Sequence, residues 1–174
     1  VWGSGRGGGG GVRIAGDQLR GKGEPRVTKG VCRHEDRPGY GCALAFAAMA
    51  HDRMLLRSLG ANSVRTAHYP NDERFLDLCD ETGILVWEEN HARGLSLEQM
   101  QNPNFERQAE EVIREMIGQH FNHPSVYIWG ILNERASATP YGKACYERPF
   151  PLIRALHPPP PRPSAPCKLK PEPP

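Results

Sequence analysis

Two patterns of apolar spacing alternate along residues 12–157. Residues 27–32 make a short strand-like run that leads into Arg33, His34, Glu35 and Asp36. Residues 43–59 then carry Leu44, Ala48, Met49, Leu55, Leu56 and Leu59 largely on one helical face, and Gly60 supplies a left-handed stop. A strand around Val64 follows at 61–66. Asp72 can cap a second helix containing Phe75, Leu76 and Cys79, which Gly83 ends; Ile84, Leu85, Val86 and Trp87 are a continuous apolar run suited to a buried parallel strand. Asn104 is the N-cap expected for the clearest helix, with Phe105, Ala109, Val112, Ile113, Met116 and Ile117 at spacings of three and four, and 126–132 is the next apolar strand. Strands alternating with helices in this way imply βαβ units and a parallel sheet.

Two architectures meet that description. A doubly wound domain fits in about 150 residues, but its first strand should open onto a glycine-rich phosphate turn. Neither GxGxxG nor GxxxxGK[ST] follows 27–32, and the glycines of 7–11 precede no strand, turn and helix. A (β/α)8 barrel needs about 250 residues, so these 174 would supply roughly its first half.

Composition narrows the partners. Seven of the 19 glycines lie in 1–11 and nine of the 17 prolines in 158–174, so both ends are expected to be disordered segments unable to bury a core. A net charge of +2 with no run of five Lys/Arg argues against nucleic acid and against a membrane surface. No stretch approaches the length of an apolar membrane span, and the start has no apolar signal-peptide core. Cys32, Cys42, Cys79, Cys145 and Cys167 are an odd set without a CxxC pair, which predicts free thiols in a reducing, cytoplasmic compartment.

Polar residues collect just after the strands, where parallel α/β folds place their sites. Arg33, His34, Glu35 and Asp36 follow the first; Arg65, His68 and Tyr69 surround the end of the second; Glu88, Glu89, Asn90 and His91 follow the third; Asn133 and Glu134 follow the fourth. Each alone reads as a loop charge or cap, and it is the joint pattern that points to a site. HExxH is absent, and His120 and His123 straddle a helix end before Pro124, a place for a cap rather than for zinc. No GxSxG elbow supports a serine nucleophile.

Three stretches carry a family resemblance. Asn62-Ser63-Val64-Arg65-Thr66-Ala67-His68-Tyr69-Pro70, with Phe75-Leu76, Asp80 and Gly83-Ile84-Leu85-Val86-Trp87, resembles the first signature of the glycoside hydrolase family 2 barrel, the family of β-galactosidases, β-glucuronidases and β-mannosidases. Asn122-His123-Pro124-Ser125-Val126-Tyr127-Ile128-Trp129-Gly130-Ile131-Leu132-Asn133-Glu134 resembles its acid/base segment, and Gly30-Val31-Cys32-Arg33-His34-Glu35-Asp36 its first barrel strand. The resemblance implies a partial (β/α)8 TIM barrel of about four βα units over 30–157, with 12–29 a remnant of a preceding β-sandwich. It implies a carbohydrate substrate, a β-galactoside or β-glucuronide, cleaved by a retaining pair of carboxylates.

By the same resemblance Glu134 is the general acid/base, and Asn133 binds the sugar 2-hydroxyl. Arg65 orients the nucleophile, while His34 and His68 line the sugar pocket. Glu88 matches the glutamate of an Asp-Glu pair after strand three, with Trp87 where the aspartate usually stands; Trp129 is expected in the core. No cofactor is implied: some β-galactosidases of the family use Mg²⁺ or Na⁺, but Glu88, Asn90 and His91 match those sites too loosely to be assigned as ligands.

The family's nucleophile is a glutamate after strand seven, beyond these residues, so the chain alone is expected to be inactive. Arg135 follows the acid where a small residue or proline is usual, and its charge would lower the acid's pKa. Pro149 and Pro151 should break helix four. His157-Pro158 and Arg162-Pro163 resemble a proline-diluted lead-in to strand five. A half barrel would leave strand four with an unpaired apolar edge, predicting self-association. The competing reading is a non-catalytic remnant whose proline-rich residues 158–163 dock into an aromatic groove.

Overall fold

The computed structural model describes residues 12–15, 18–133, 139–156 and 164–165. The expectations for residues 1–11 and 158–163, Cys167, Glu134 and Arg135 fall outside them.

The first described elements form a separate antiparallel sheet: β1 (Val12–Ala15), β2 (Gln18–Gly21) and β3 (Glu24–Pro25), in that order. Lys22 and Gly23 join the last two as a two-residue turn with φ of 55° and 87°, the left-handed pair whose twist suits a tight hairpin. The main body is a parallel sheet of β4 (Gly30–Arg33), β5 (Ser63–Thr66), β6 (Leu85–Glu89), β7 (Val126–Gly130) and β8 (Ser164–Ala165), also in sequence order. Between successive strands run α1 (Phe46–Ser58), then α2 (Glu73–Thr82), then α3 (Leu97–Met100) and α4 (Phe105–His120), then α5 (Pro140–Glu147) and α6 (Pro149–Leu156). Helices between successive strands of an all-parallel sheet in sequence order give the opening portion of a (β/α)8 barrel.

Local chemistry accounts for the boundaries. The Asp72 carboxylate accepts from the Arg74 amide at the start of α2, and Gly83, at φ 69°, ends it. Asn104 occupies the N-cap of α4 but makes no side-chain cap; Asn102 Oδ1 accepts from the Asn104 amide instead. The short α3 opens on a capping box of Ser96 and Gln99. The fourth helical segment is split at Arg148. Pro149 begins α6, where a missing N–H costs nothing, and Pro151 falls in the same first turn.

The core lies between sheet and helices, where Val64, Val86, Val126 and Trp129 meet Phe75, Leu76, Ile113, Met116 and Ile117. Three expectations are corrected at the periphery. Leu55 and Leu59 are 49% and 70% exposed instead of facing this core, because α1 packs against α2 on one flank only. Ser164–Ala165, inside the proline-rich tail expected to be disordered, pairs with Trp129 and Gly130, since Ser164 and Ala165 keep the backbone donors that their proline neighbours lack. That fifth strand covers the edge of β7. Among the described residues, the uncovered apolar edge is at β4 and the adjoining α1 instead, where Val31, Met54, Leu55 and Leu59 are exposed.

Candidate active site

Strand alternation decides which polar residues meet. In β6, Val86 joins the core, so Glu88 shares its side of the sheet, while Trp87 and Glu89 face the barrel interior. In β5 the core residue is Val64, which turns Arg65 inward; in β4 Cys32, paired in register with Arg65, faces it. Arg65 Nε donates to Glu89 Oε1 at 2.7 Å, and its Nη2 donates to Asn133 Oδ1 at 2.8 Å. His68 Nδ1 lies 2.9 Å from Glu89 Oε2 and, a carboxylate being only an acceptor, donates to it. Arg65 also lies over the Trp87 ring at 5.6 Å and reaches the Cys32 thiol at 3.7 Å.

These side chains come from four consecutive strands or their ends, β4 to β7. Glu89 is fully buried, and its two oxygens are held by Arg65 and His68, one each. Gly130, paired in register with Glu89, makes the room for it: a Cβ at position 130 would come within 2.6 Å of both Glu89 Cγ and Trp87 Nε1.

The rim is completed by His34, an exposed ring at the end of β4 that meets His68 edge-on at 5.2 Å between centroids. Its sequence neighbours turn away. Arg33 donates to Asp52, Glu35 and Asn71 and lies 3.9 Å over the Phe75 ring, while Glu35 accepts from the Asp72 amide. The buried Arg33 and Glu35 therefore brace the strand end that carries His34. The Glu35 amide donates to the Tyr69 hydroxyl at 3.1 Å. Burial raises the Tyr69 pKa, with the neighbouring Cys42 adding to the shift, so the phenol stays protonated.

Residues 90–94 are held beside the fourth strand end. The Asn90 amide donates to the Gly130 carbonyl, the Asn133 amide to the Ala92 carbonyl, and the Gly94 amide to the Asn133 carbonyl. Asn133, 6% exposed, is thus fixed by its backbone on one side and by Arg65 on the other. Glu134, the next residue, lies outside the described residues.

Of the site residues expected from sequence, Asn133, Arg65, His68 and His34 come together; Glu88 does not. Its carboxylate lies on the helix side, 2.7 Å from His120 Nδ1. Glu89, which the sequence places after the third strand but to which it assigns no role, stands where Glu88 was expected. The signal was present: with Val86 taken as core, a period of two sends 88 to the core side and 89 inward.

No described grouping near this centre suits a metal. Asn90 Nδ2 faces the Ala109 carbonyl and His91 is exposed, so Glu88, Asn90 and His91 do not converge. At the opposite end of the sheet, Asp77, Asp80 and His123 bring ligand atoms within 4.8 Å of one another. Hydrogen bonding explains that cluster: Asp80 takes the His123 Nδ1–H at 2.6 Å and the Ser125 amide at 2.8 Å, tying α2 to the start of β7. Among the described residues, no helix is long and apolar enough to cross a membrane.

The Glu88–His120 pair yields a pH prediction. Burial opposes protonation of His120, but the hydrogen bond and charge of Glu88 outweigh it and raise its pKa. The pair's contribution is therefore complete below the unfolded histidine value, about 6.5, and is lost as pH rises through the raised folded value. Glu88→Gln should destabilise the fold by about 3 kcal/mol at pH 5.5, and by less at pH 8.5. Urea unfolding followed by tryptophan fluorescence at low protein concentration measures both, and an equal loss at the two pH values would refute the assignment.

Comparison with known proteins places this geometry. Residues 12–154 match the family model described as glycosyl hydrolases family 2, TIM barrel domain. The chain is 40% identical over 116 residues to a β-glucuronidase of Mus musculus, covering 67% of this chain and 18% of that protein. It is 36% identical over 126 residues to a β-glucuronidase of Homo sapiens, covering 72% and 19%. Among solved structures, a β-galacturonidase from Eisenbergiella tayi bound to galacturonate superposes with a TM-score of 0.85 at 60% identity, over 90% of this chain and 28% of that one. A β-glucuronidase from Bifidobacterium dentium superposes at 0.80 with 33% identity, over 90% and 26%. The chain thus spans between about an eighth and a fifth of the length of the curated relatives it matches.

Proposed function

Because the chain belongs to glycosyl hydrolase family 2, we propose that it forms the acid/base side of a retaining β-hexuronidase, acting on β-galacturonides or β-glucuronides. The observation that carries this reading is the Arg65 guanidinium, which joins the buried Glu89 carboxylate to the Asn133 side chain directly before Glu134. Such a frame fixes Asn133 at the fourth strand end, one residue in sequence before the donor of the proton that the departing oxygen needs. Asn133 supplies a polar contact to the sugar, strengthened as oxocarbenium character develops. His34 and His68 line the floor on which the ring rests. Glu134 gives its proton to the leaving oxygen and then takes one from water. The opposing carboxylate nucleophile comes from outside these residues, so the chain alone turns nothing over. The names of the relatives favour a uronide over a neutral galactoside.

A chimera tests the reading. Residues 12–156 replace their counterparts in the Eisenbergiella tayi enzyme, where 60% identity favours a compatible fit. The chimera is expected to hydrolyse 4-nitrophenyl β-D-galacturonide with retention, and the isolated chain to be inactive. A folded chimera that cleaves the β-galactoside and not the uronide would overturn the substrate class. The isolated chain is also expected to self-associate through the β4 edge. Sedimentation should show mass rising with concentration, and substituting Val31, Met54 and Leu59 by Lys should restore a monomer.

A further inference from the structure

Glu88, on the helix side of β6, carries a charge that the proposed chemistry does not use. It is fully buried, and its carboxylate takes the Nδ1–H of His120, 2.7 Å away at the end of α4 and itself only 4% exposed. The other groups around the pair come from α2 and from the turn before β7. His123 on that turn meets the His120 ring edge-on at 5.8 Å between centroids and is held by Asp80 of α2. Asp72 and Glu73, at the start of α2, add negative charge. The Cys79 thiol of α2, on which Glu88, Asp80, Arg33 and Arg53 all act, is pushed up to about 12 by burial and stays neutral.

Glu88 and Glu89 are consecutive, so β6 presents one carboxylate to each of its faces. The first fastens the strand to α4, and the second fastens it to Arg65 and His68. A buried carboxylate is costly unless a charge balances it. His120 balances Glu88 only as an imidazolium; once the ring releases a proton to solvent, it offers the buried anion no more than a neutral N–H. Burial disfavours the imidazolium and Glu88 more than offsets that, so release falls above the ordinary histidine value of about 6.5. We propose that Glu88 and His120 are a positioning pair acting through β6: with His120 protonated they hold the strand end that carries Glu89, and with His120 neutral that end slackens, which sets an alkaline limit on catalysis. The assignment rests on the hexuronidase reading and deepens it with a control on the same site.

Other titrations can be stripped from the rate. In the chimera carrying residues 12–156 with Glu134→Gln, 4-nitrophenolate leaves without a proton and azide supplies the second step, so neither step draws on an acid or base at position 134. kcat/KM for 4-nitrophenyl β-D-galacturonide should still fall by about 10-fold as pH rises from about 6 to about 9.5, a fraction of what a misplacement of about 1 Å costs. Adding Glu88→Gln and His120→Gln together leaves an amide pair that keeps a hydrogen bond and cannot titrate, and should level the profile. His120→Gln alone keeps a donor for Glu88, should level it too, and serves if the melting temperature shows the double variant unfolded. The full chain reads the pair without turnover: Trp87 precedes Glu88 and Trp129 is paired with it in register, so tryptophan emission at low protein concentration should shift with the same midpoint, and stay fixed in His120→Gln. A flat profile before the pair is changed, an equal alkaline fall after it is changed, or emission that ignores pH would overturn the proposal and leave the hexuronidase reading intact. A chimera that cleaves only the β-galactoside would overturn that reading, and the same profiles taken on the galactoside would then decide for or against the pair.

Discussion

Glu134→Gln in the chimera is expected to cut kcat on an alkyl β-galacturonide by about 10⁴-fold, the upper range for loss of a general acid. The loss should shrink as the leaving group improves. An alkoxide is too basic to depart unprotonated, whereas 4-nitrophenolate leaves without help, so cleavage of the activated substrate should suffer far less in its first step. The second step then becomes limiting, because the water that attacks the glycosyl-enzyme still lacks its base, and a burst of nitrophenolate should precede slow turnover. Azide needs no base and should restore turnover, giving the β-glycosyl azide. A variant whose loss is the same for both leaving groups, with no azide rescue, would remove Glu134 from the acid/base role.

Changing Glu89 should produce the next largest effect, on stability and activity together. From a fully buried position its two oxygens hold the partly buried Arg65 and His68, so Glu89→Leu leaves the guanidinium without its carboxylate and should cost about 3 kcal/mol. Glu89→Gln keeps the shape and should cost less. Both should lower kcat/KM by about 100-fold, because the Arg65 fork also positions Asn133, and misplacement by about 1 Å is enough for such a loss. Adding Arg65→Met to Glu89→Leu removes the stranded charge and should recover part of the stability without recovering activity. If stability and activity return together in the double variant, the pair is a brace for the fold and has no positioning role.

Much of this arrangement was legible because helix and strand periods are written in the apolar residues. The order of elements, the Gly60 and Gly83 stops, the Asp72 cap and the break at Pro149 all rest on local rules that the structure obeys. The contents of the site were harder to read where neighbours in sequence part company in space. Arg33, His34 and Glu35 form one motif, yet the odd and even members serve opposite sides of the strand. Glu88 and Glu89 differ in nothing but parity, and a motif match that slips by one residue selects the wrong carboxylate. The short strand Ser164–Ala165 was hidden by its prolines, since pairing there depends on β7 presenting an edge, a tertiary fact.

The hydrogen at Gly130 has a further use, as a sieve on natural variation. No side chain fits there without displacing the Glu89 stem or the Trp87 indole. A diverged copy of this barrel carrying alanine or anything larger at that position has therefore given up the buried carboxylate platform, whatever it keeps at its acid/base position. One codon thus separates copies that can retain the site from those that have drifted to other work, before any of them is expressed.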